Sequence, residues 1–304
     1  MTDRITSEMV RASTLNDINS SLQTLQRSAV ELSSGKRIIE PSDDPYGASH
    51  IIDLTSQIEG LSSYSAAIAN GSAWTGAASG AMSNIHTILQ RVRELVLQAS
   101  NGTLNSGDLG SIAGQVTGLI ESIKQDANTQ YAGQYIFSGT LTTTAPYKPG
   151  AEDAFQGDTE PVNRPIGPGA VVNVATELSS VLGSGQGAAD GKLLDVLRTI
   201  AGHLGEATPA AREALATTDL ANLDTNMEAL TNLEARTGAT TNQLTAAASR
   251  IEGLQDALTK SLSATQDANI AEVSLAYSSE QAAYSAALHA GANIIQESLL
   301  DFLK

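Results

Sequence analysis

Leu15-Asn16-Asp17-Ile18-Asn19-Ser20-Ser21-Leu22-Gln23-Thr24-Leu25-Gln26-Arg27-Ser28-Ala29-Val30-Glu31-Leu32-Ser33-Ser34-Gly35 decides the fold class. Leu15, Ile18, Leu22, Leu25, Ala29 and Leu32 are spaced 3, 4, 3, 4 and 3, a heptad seam of period near 3.5. No Gly or Pro interrupts residues 1–34, and Gly35 follows the last seam residue as a helix stop. A helix of this length is about 50 Å long with a narrow apolar stripe, so alone it would fray. A well-buried Leu contributes roughly 1.5–3 kcal/mol, but only against a partner.

The far end of the chain supplies one. Between Gly253 and Gly291 there is again no Gly or Pro, and Leu254, Leu258, Leu262, Val273, Tyr277, Tyr284 and Leu288 form an apolar stripe. The stripe is diluted by polar residues over 263–269, and an apolar terminus follows with Ile294, Ile295, Leu299, Leu300, Phe302 and Leu303. The economical reading pairs the two terminal helices antiparallel, or against neighbouring subunits. Strong heptads held at both ends of a chain suggest assembly, and exposed Leu299, Leu300 and Phe302 would otherwise promote aggregation.

Inward from these arms the helical pattern continues. Residues 46–98 carry Ile51, Ile52, Leu54, Ile58, Leu61, Ile68, Trp74, Met82, Ile85, Ile88, Leu89, Val92 and Leu95 at helical intervals. Gly71, Gly76 and Gly80 within this run mark either a kink or close helix packing. Asn101-Gly102 reads as a turn, Leu109 to Ile123 as a further amphipathic helix, and Leu193–Leu204 and Leu220–Leu258 as returning helices parted near Thr208-Pro209. From Gly139 to Gly191 the chain is rich in Thr, Pro and Gly and holds five of the eight prolines. Short β-prone stretches at Ala154–Gln156, Val162–Arg164 and Val171–Val174 make this a small inserted module. The expected fold is mainly α: long antiparallel terminal helices, a helical middle domain and a small inserted β-rich module. The expected domains are 1–44 with 262–304 as terminal arms, 45–140 with 191–261 as a helical rod, and 141–190 as the module.

Composition narrows function. With 17 Lys and Arg against 33 Asp and Glu the net charge is −16, which disfavours nucleic acid and anionic membrane surfaces as partners. No run of residues is long and apolar enough for membrane insertion, and Met1–Glu8 lacks the apolar region of a signal peptide. Cysteine is absent, so thiolate chemistry and Cys-metal sites are excluded. His50, His86, His203 and His289 stand in no metal-ligand spacing. Asp43-Asp44 offers two carboxylates, but without further convergent groups it reads as a turn and helix cap rather than a catalytic pair. Gly183-Ser184-Gly185-Gln186-Gly187-Ala188 matches a dinucleotide-loop pattern without the preceding strand, and reads as a return loop. Asn70-Gly71-Ser72 and Asn101-Gly102-Thr103 match glycosylation acceptors by chance. No cofactor, metal or catalytic residue set emerges, and the expectation is a protein that is not an enzyme.

Several motifs carry a resemblance. Leu32-Ser33-Ser34-Gly35-Lys36-Arg37-Ile38, then Pro41-Ser42-Asp43-Asp44-Pro45-Tyr46-Gly47-Ala48, resembles the flagellin superfamily where its outgoing helix ends before a paired-aspartate turn. Gln90-Arg91-Val92-Arg93-Glu94-Leu95-Val96-Leu97-Gln98-Ala99 continues the resemblance, which covers most of the chain outside 141–190. Pro41 and Pro45 around the aspartates, Tyr131–Thr140, Phe155-Gln156-Gly157-Asp158, Ile166-Gly167-Pro168-Gly169 and the ending Ser298-Leu299-Leu300-Asp301-Phe302-Leu303 are more similar to members at the hook-filament junction than to filament flagellin. The resemblance implies a structural subunit exported through the flagellar type III route without a cleaved signal peptide. It would be located outside the cell, in a ring of copies of itself between a hook-side hook-associated protein and flagellin. A flagellar export chaperone covering the C-terminus is also implied. Leu15, Ile18, Leu22, Leu25 and Leu32 with Ile294, Leu299, Leu300 and Phe302 are the expected assembly interface. Gln90, Arg91, Arg93 and Glu94 read as an inter-subunit or intrahelical ion-pair face, or as a face that an innate immune receptor recognises in flagellins. Alternatives are the main filament flagellin and, in a different class, a cytoplasmic coiled-coil scaffold.

Overall fold

The computed structural model describes the backbone of residues 2–101, 104–185 and 188–302, and side chains within residues 9–292 of these. It is mainly α-helical with two small strand pairs. Among the described residues the α-helices are α1 (Thr2–Ser34), α2 (Pro45–Ser100), α3 (Ser106–Ala127), α4 (Ser179–Leu182), α5 (Leu193–Glu206), α6 (Pro209–Ala214), α7 (Leu220–Gln266) and α8 (Ile270–Phe302). Strands β1 (Gln130–Tyr131) and β2 (Gln134–Tyr135) form one antiparallel pair, and β3 (Asn163–Gly167) and β4 (Ala170–Asn173) another. The chain divides into two units: residues 1–60 with 255–304, and residues 61–254.

In the first unit α1 and α8 run antiparallel. Ser28 Oγ donates to Glu280, and Gly291 lies where a Cβ would press on Ile18 and Thr14. Glycine at 291 therefore lets the two helices approach closely. Helix α1 stops at Gly35, whose φ of +69° belongs to the left-handed region that glycine adopts without Cβ strain. Three residues, Asp267 to Asn269, separate α7 from α8.

The second unit holds the packed core. Along α2, Leu61, Ile68, Ala78, Met82, Ile85, Leu89, Val92, Val96 and Ala99 are buried at heptad-like spacing. Helix α7 runs against it antiparallel: Leu244 approaches Gly71, Thr241 bonds Thr75, and Asp224 pairs with Arg93. A Cβ at Gly71 would meet Val174 at 3.3 Å and Leu244 at 3.5 Å, so this glycine serves close packing, and α2 runs through Gly71, Gly76 and Gly80 as one helix. Helix α3 starts with a capping box between Asn105 and Asp108 and packs its Leu109, Ile112, Val116, Ile120 and Ile123 face on α5. Between α6 and α7 a single π-helical turn, Leu215–Asp219, carries one residue more than an α turn. Ala211, Leu215, Asp219 and Leu223 are all buried. A spacing of 4, 4 and 4 drifts by about 120° on a regular α-helix, and the extra residue takes back about 100°.

The inserted segment is tied together by its glycines. A Cβ at Gly157 would meet Ser138 Cα at 2.8 Å, and one at Gly139 would strike Asp158. Asp158 in turn accepts from the Thr140 amide and receives no bulk between, so Tyr135–Thr140 and Phe155–Asp158 close on each other. Of the three β-prone stretches, Asn163–Arg164 and Val171–Asn173 fall in β3 and β4, whereas Ala154–Gln156 forms no strand. Its backbone is used differently: the Gln156 amide donates to the Pro146 carbonyl and Lys124 fastens the preceding residues.

Candidate assembly surface

On α1 the seam residues do not share one environment. Ile18, Leu22, Leu25 and Leu32 are half-buried on the side facing α8, with Ser28 buried between them. Leu15 is 49% exposed and lies off that side. The reason is geometric: a two-helix pair covers one stripe of each helix, and a heptad seam drifts relative to a straight helix with 3.6 residues per turn. Ile294, Leu299, Leu300 and Phe302 belong to the run of α8, but their side chains lie outside the described residues.

The two breaks in the helices are joined. Arg37 N and Ile38 N donate to the Gln266 carbonyl, Ala268 N donates to the Gly35 carbonyl, and Arg37 Nη2 reaches the Thr265 carbonyl at 2.9 Å. Asp43 Oδ2 accepts from the amides of Ile39 and Glu40, both at 3.0 Å, and Oδ1 pairs with Arg27 at 3.1 Å. The two amides hold the Asp43 carboxyl below its usual range against an opposing cost of burial, and Arg27 adds a lesser effect in the same direction as the amides. Asp44 caps α2, its Oδ1 accepting from Gly47 N at 2.9 Å, and Pro45 occupies the first helical position. Ile38 is buried over Gly47, where a Cβ would meet its Cδ1 at 2.5 Å. Pro41 is exposed at the tip of the turn.

What sequence reading missed is how bare this unit is. Among its described residues the buried large apolar side chains are Ile38 and Leu54, while Met9, Val10, Leu15, Val30, Ile39, Tyr46, Ile52, Ile270, Leu275 and Leu288 are exposed, Tyr46 at 84% and Leu275 at 74%. Val30 and Ile39 floor a groove of about 220 Å³ rimmed by Gln26, Arg27, Glu31, Glu40 and Asp43. Val30 sits off the 3–4 seam and Ile39 lies beyond the helix stop at Gly35, and an apolar residue outside the seam is the signal for this groove.

Gln90, Arg91, Arg93 and Glu94 lie on α2 in the second unit and split into two groups. Gln90, Arg91 and Glu94 are exposed, with Arg91 Nη1 pairing with Glu94 at 2.9 Å, and Leu97 extends the same stripe at 40% exposure. Arg93 points away from them and holds Asp224 of α7 at 2.7 Å. Asn70 accepts from Arg164 Nε, which stacks over the Trp74 ring, so its amide serves packing. His203 Nδ1 contacts the buried Asp219 at 2.6 Å. Of the Gly183–Ala188 loop, residues 186 and 187 lie outside the described residues, as do 102 and 103 of the second glycosylation pattern. Among the described residues no cluster of His, Asp and Glu is placed to hold a metal ion, and no helix is long and apolar enough to cross a membrane.

Comparison with known proteins agrees with this geometry. Residues 5–142 match the family described as bacterial flagellin N-terminal helical region. Flagellar hook-associated protein 3 of Escherichia coli (strain K12) is 32% identical over 145 residues, 47% of this chain and 46% of its own length. Flagellin of Bacillus subtilis (strain 168) is 36% identical over 140 residues, 45% of this chain and 46% of its own. The matched region thus spans just under half the length of these relatives. Among solved structures, a putative flagellar hook-associated protein from Vibrio parahaemolyticus superposes with a TM-score of 0.66 at 19% identity, covering 73% of this chain and 99% of that one. Flagellar hook-associated protein 3 from Legionella pneumophila gives 0.59 at 15% identity, covering 70% and 98%. Residues 5–142 are thus similar to the bacterial flagellin N-terminal helical region, and the chain has the fold of the solved flagellar hook-associated proteins.

Proposed function

We propose that this chain is a structural subunit of the bacterial flagellum that joins hook to filament, assembling as a ring outside the cell after flagellar type III export. The observation that carries the reading is the first unit, where among the described residues few large apolar side chains are buried and ten are open to solvent. Such a surface needs partners, and in this reading they are copies of the same chain, a hook-side hook-associated protein and flagellin. In this reading residues 1–44 with 262–304 are the assembly arms, 45–140 with 191–261 the rod and 141–190 a surface module. Leu15, Ile18, Leu22, Leu25, Leu32, Ile294, Leu299, Leu300 and Phe302 serve the arm interface, and an export chaperone covers the C-terminal part before assembly. Pro41, Asp43, Asp44 and Pro45 set the turn that leads from arm to rod, and Gln90, Arg91 and Glu94 offer an outward polar stripe.

A filament flagellin is the second reading, favoured by the comparable identity to Bacillus subtilis flagellin. Electron microscopy of cells lacking the gene, with an immunoblot for flagellin in the medium, separates the two. Bare hooks with flagellin shed into the medium are expected. Loss of the flagellin band itself makes this chain the filament, and normal filaments overturn both readings.

A further inference from the structure

Residues 148–157 cross the second unit between two fixed ends. At one end Tyr147 is fully buried. Its backbone makes a two-way bond with the Asn128 side-chain amide, at 2.7 and 3.0 Å, and its hydroxyl donates to the Gly183 carbonyl. At the other end Asp158 is clasped to Thr140 and Ser138. Between those ends the described bonds to the helices converge on a single charged knot. Lys124 of α3, 1% exposed, donates through Nζ to the carbonyls of Gly150 and Glu152 and to Asp153 Oδ1 at 2.7, 3.1 and 2.9 Å. Arg198 of α5 donates to both Asp153 oxygens, at 2.8 and 3.0 Å, and to the Gly150 carbonyl at 2.9 Å. Glu121 of α3 accepts from the Gly150 amide at 2.8 Å and pairs with Arg198 and Lys124.

We infer that residues 148–157 form a strap latched to the helices by one shared carboxylate, Asp153, and that neutralising this carboxylate frees the strap while α3 and α5 stay folded. The charges facing Asp153 are Lys124 and Glu121 from α3 and Arg198 from α5. The turn at Gly183–Gly185 closes over it with backbone, since a Cβ at Gly185 would strike the Asp153 side chain, and Asp190 supports that turn through the Ser184 amide. The strap's own Lys148 and Glu152 pair with each other at the surface. Two cations therefore balance two carboxylates, and removing Asp153 leaves a buried cation uncompensated, which expels the segment that surrounds it. The helices keep a further reason to stay, since α3 and α5 pack directly on each other, with Leu109, Val116, Ile120 and Ile123 of α3 and Leu193, Leu197, Ile200 and Leu204 of α5 fully buried.

Acid should act as the substitution does. Burial pushes the Asp153 carboxyl up, but the hydrogen bonds from Arg198 and Lys124 outweigh it and hold it below the usual range. A carboxyl depressed by folding contributes stability that is complete above its unfolded value and fades as pH falls through the folded one. Release therefore belongs below about pH 4.

Hydrogen exchange read by mass spectrometry at pH 7 on the full chain tests the latch. In Asp153→Asn, exchange over 148–157 rises by on the order of tenfold or more while peptides from α3 and α5 are unchanged. Glu152→Gln, which touches only the surface pair with Lys148, leaves the strap at its original rate. Unchanged strap exchange in Asp153→Asn, or equal acceleration of α3 and α5, overturns the proposal. Should that variant not fold, pepsin digestion of the unaltered protein at stepwise lower pH decides. Cleavage beside Phe155 while helical circular dichroism is intact supports the latch, and cleavage only as the helices melt refutes it.

Discussion

Gly133 and Gly139 both hold left-handed backbone, at φ +77° and +64°, yet only one is also a packing position. Gly133 follows Ala132, φ +50°, in the two-residue turn of the β1–β2 hairpin, where a Cβ would meet nothing within 4 Å. Both central residues of such a turn need positive φ, and the sequence supplies a glycine for only one of them. Gly133→Ala should cost about 1 kcal/mol from backbone strain alone. Gly139→Ala adds a collision with Asp158 and should cost about 3 kcal/mol or more, since it also breaks the clasp on Thr140. Urea unfolding of the two variants side by side measures the difference, and equal costs would mean that the clasp is not tight. At Asp44 the loss is of a cap: Asp44→Ala removes the acceptor for Gly47 N and should cost about 1 kcal/mol in the same measurement.

At the scale of elements, the long helices were legible because each repeats one signal many times. The 3–4 spacing carries α1 and α2 and Gly35 ends α1, whereas the stripe read as running from Leu254 to Leu288 is broken at Asp267–Asn269, within its polar dilution, and the returning helix read to Leu258 runs on to Gln266. The π-helical turn was not legible, because a 4–4–4 spacing resembles ordinary helix until the drift is summed. Nor was the knot at Asp153, whose four charges come from three separate places in the chain and have no spacing rule. Leu15 shows the limit within the seam itself: the pattern says that a stripe is apolar, and only the partner's width says how much of it is covered. The same contrast sets an expected order of stability. Met82, Ile85, Leu89 and Val92 are fully buried, whereas the described large apolar side chains of the α1–α8 pair are half-covered or exposed. Amides of described α1 residues should therefore exchange orders of magnitude faster than those of α2 between residues 82 and 92 in the isolated chain, as hydrogen exchange can measure. Leu22→Asp with Leu25→Asp should leave the second unit intact and export unimpaired but abolish stable incorporation, and normal swimming by that double variant would refute the arm interface.

For the molecule as a whole, charge and apolar exposure oppose each other. A net charge of −16 on 304 residues makes copies repel, while the open apolar side chains of the first unit favour association. The described ion pairs Arg27–Asp43, Arg91–Glu94 and Arg93–Asp224 each lie within one unit and leave the excess of acid uncompensated. An apolar contact between acidic surfaces strengthens when salt screens the repulsion, and a contact made of ion pairs weakens. Self-association of the purified chain at pH 7 should thus increase between about 20 mM and 500 mM salt, a range over which the Debye length falls from roughly 20 Å to 4 Å. Sedimentation velocity reads this directly. Val30→Glu and Leu275→Glu, which place further acid on exposed apolar positions, should lower association at every salt concentration. Dissociation on adding salt would instead mean that charge pairs hold copies together, and would move the interface from the bare faces of α1 and α8 to their charged rims.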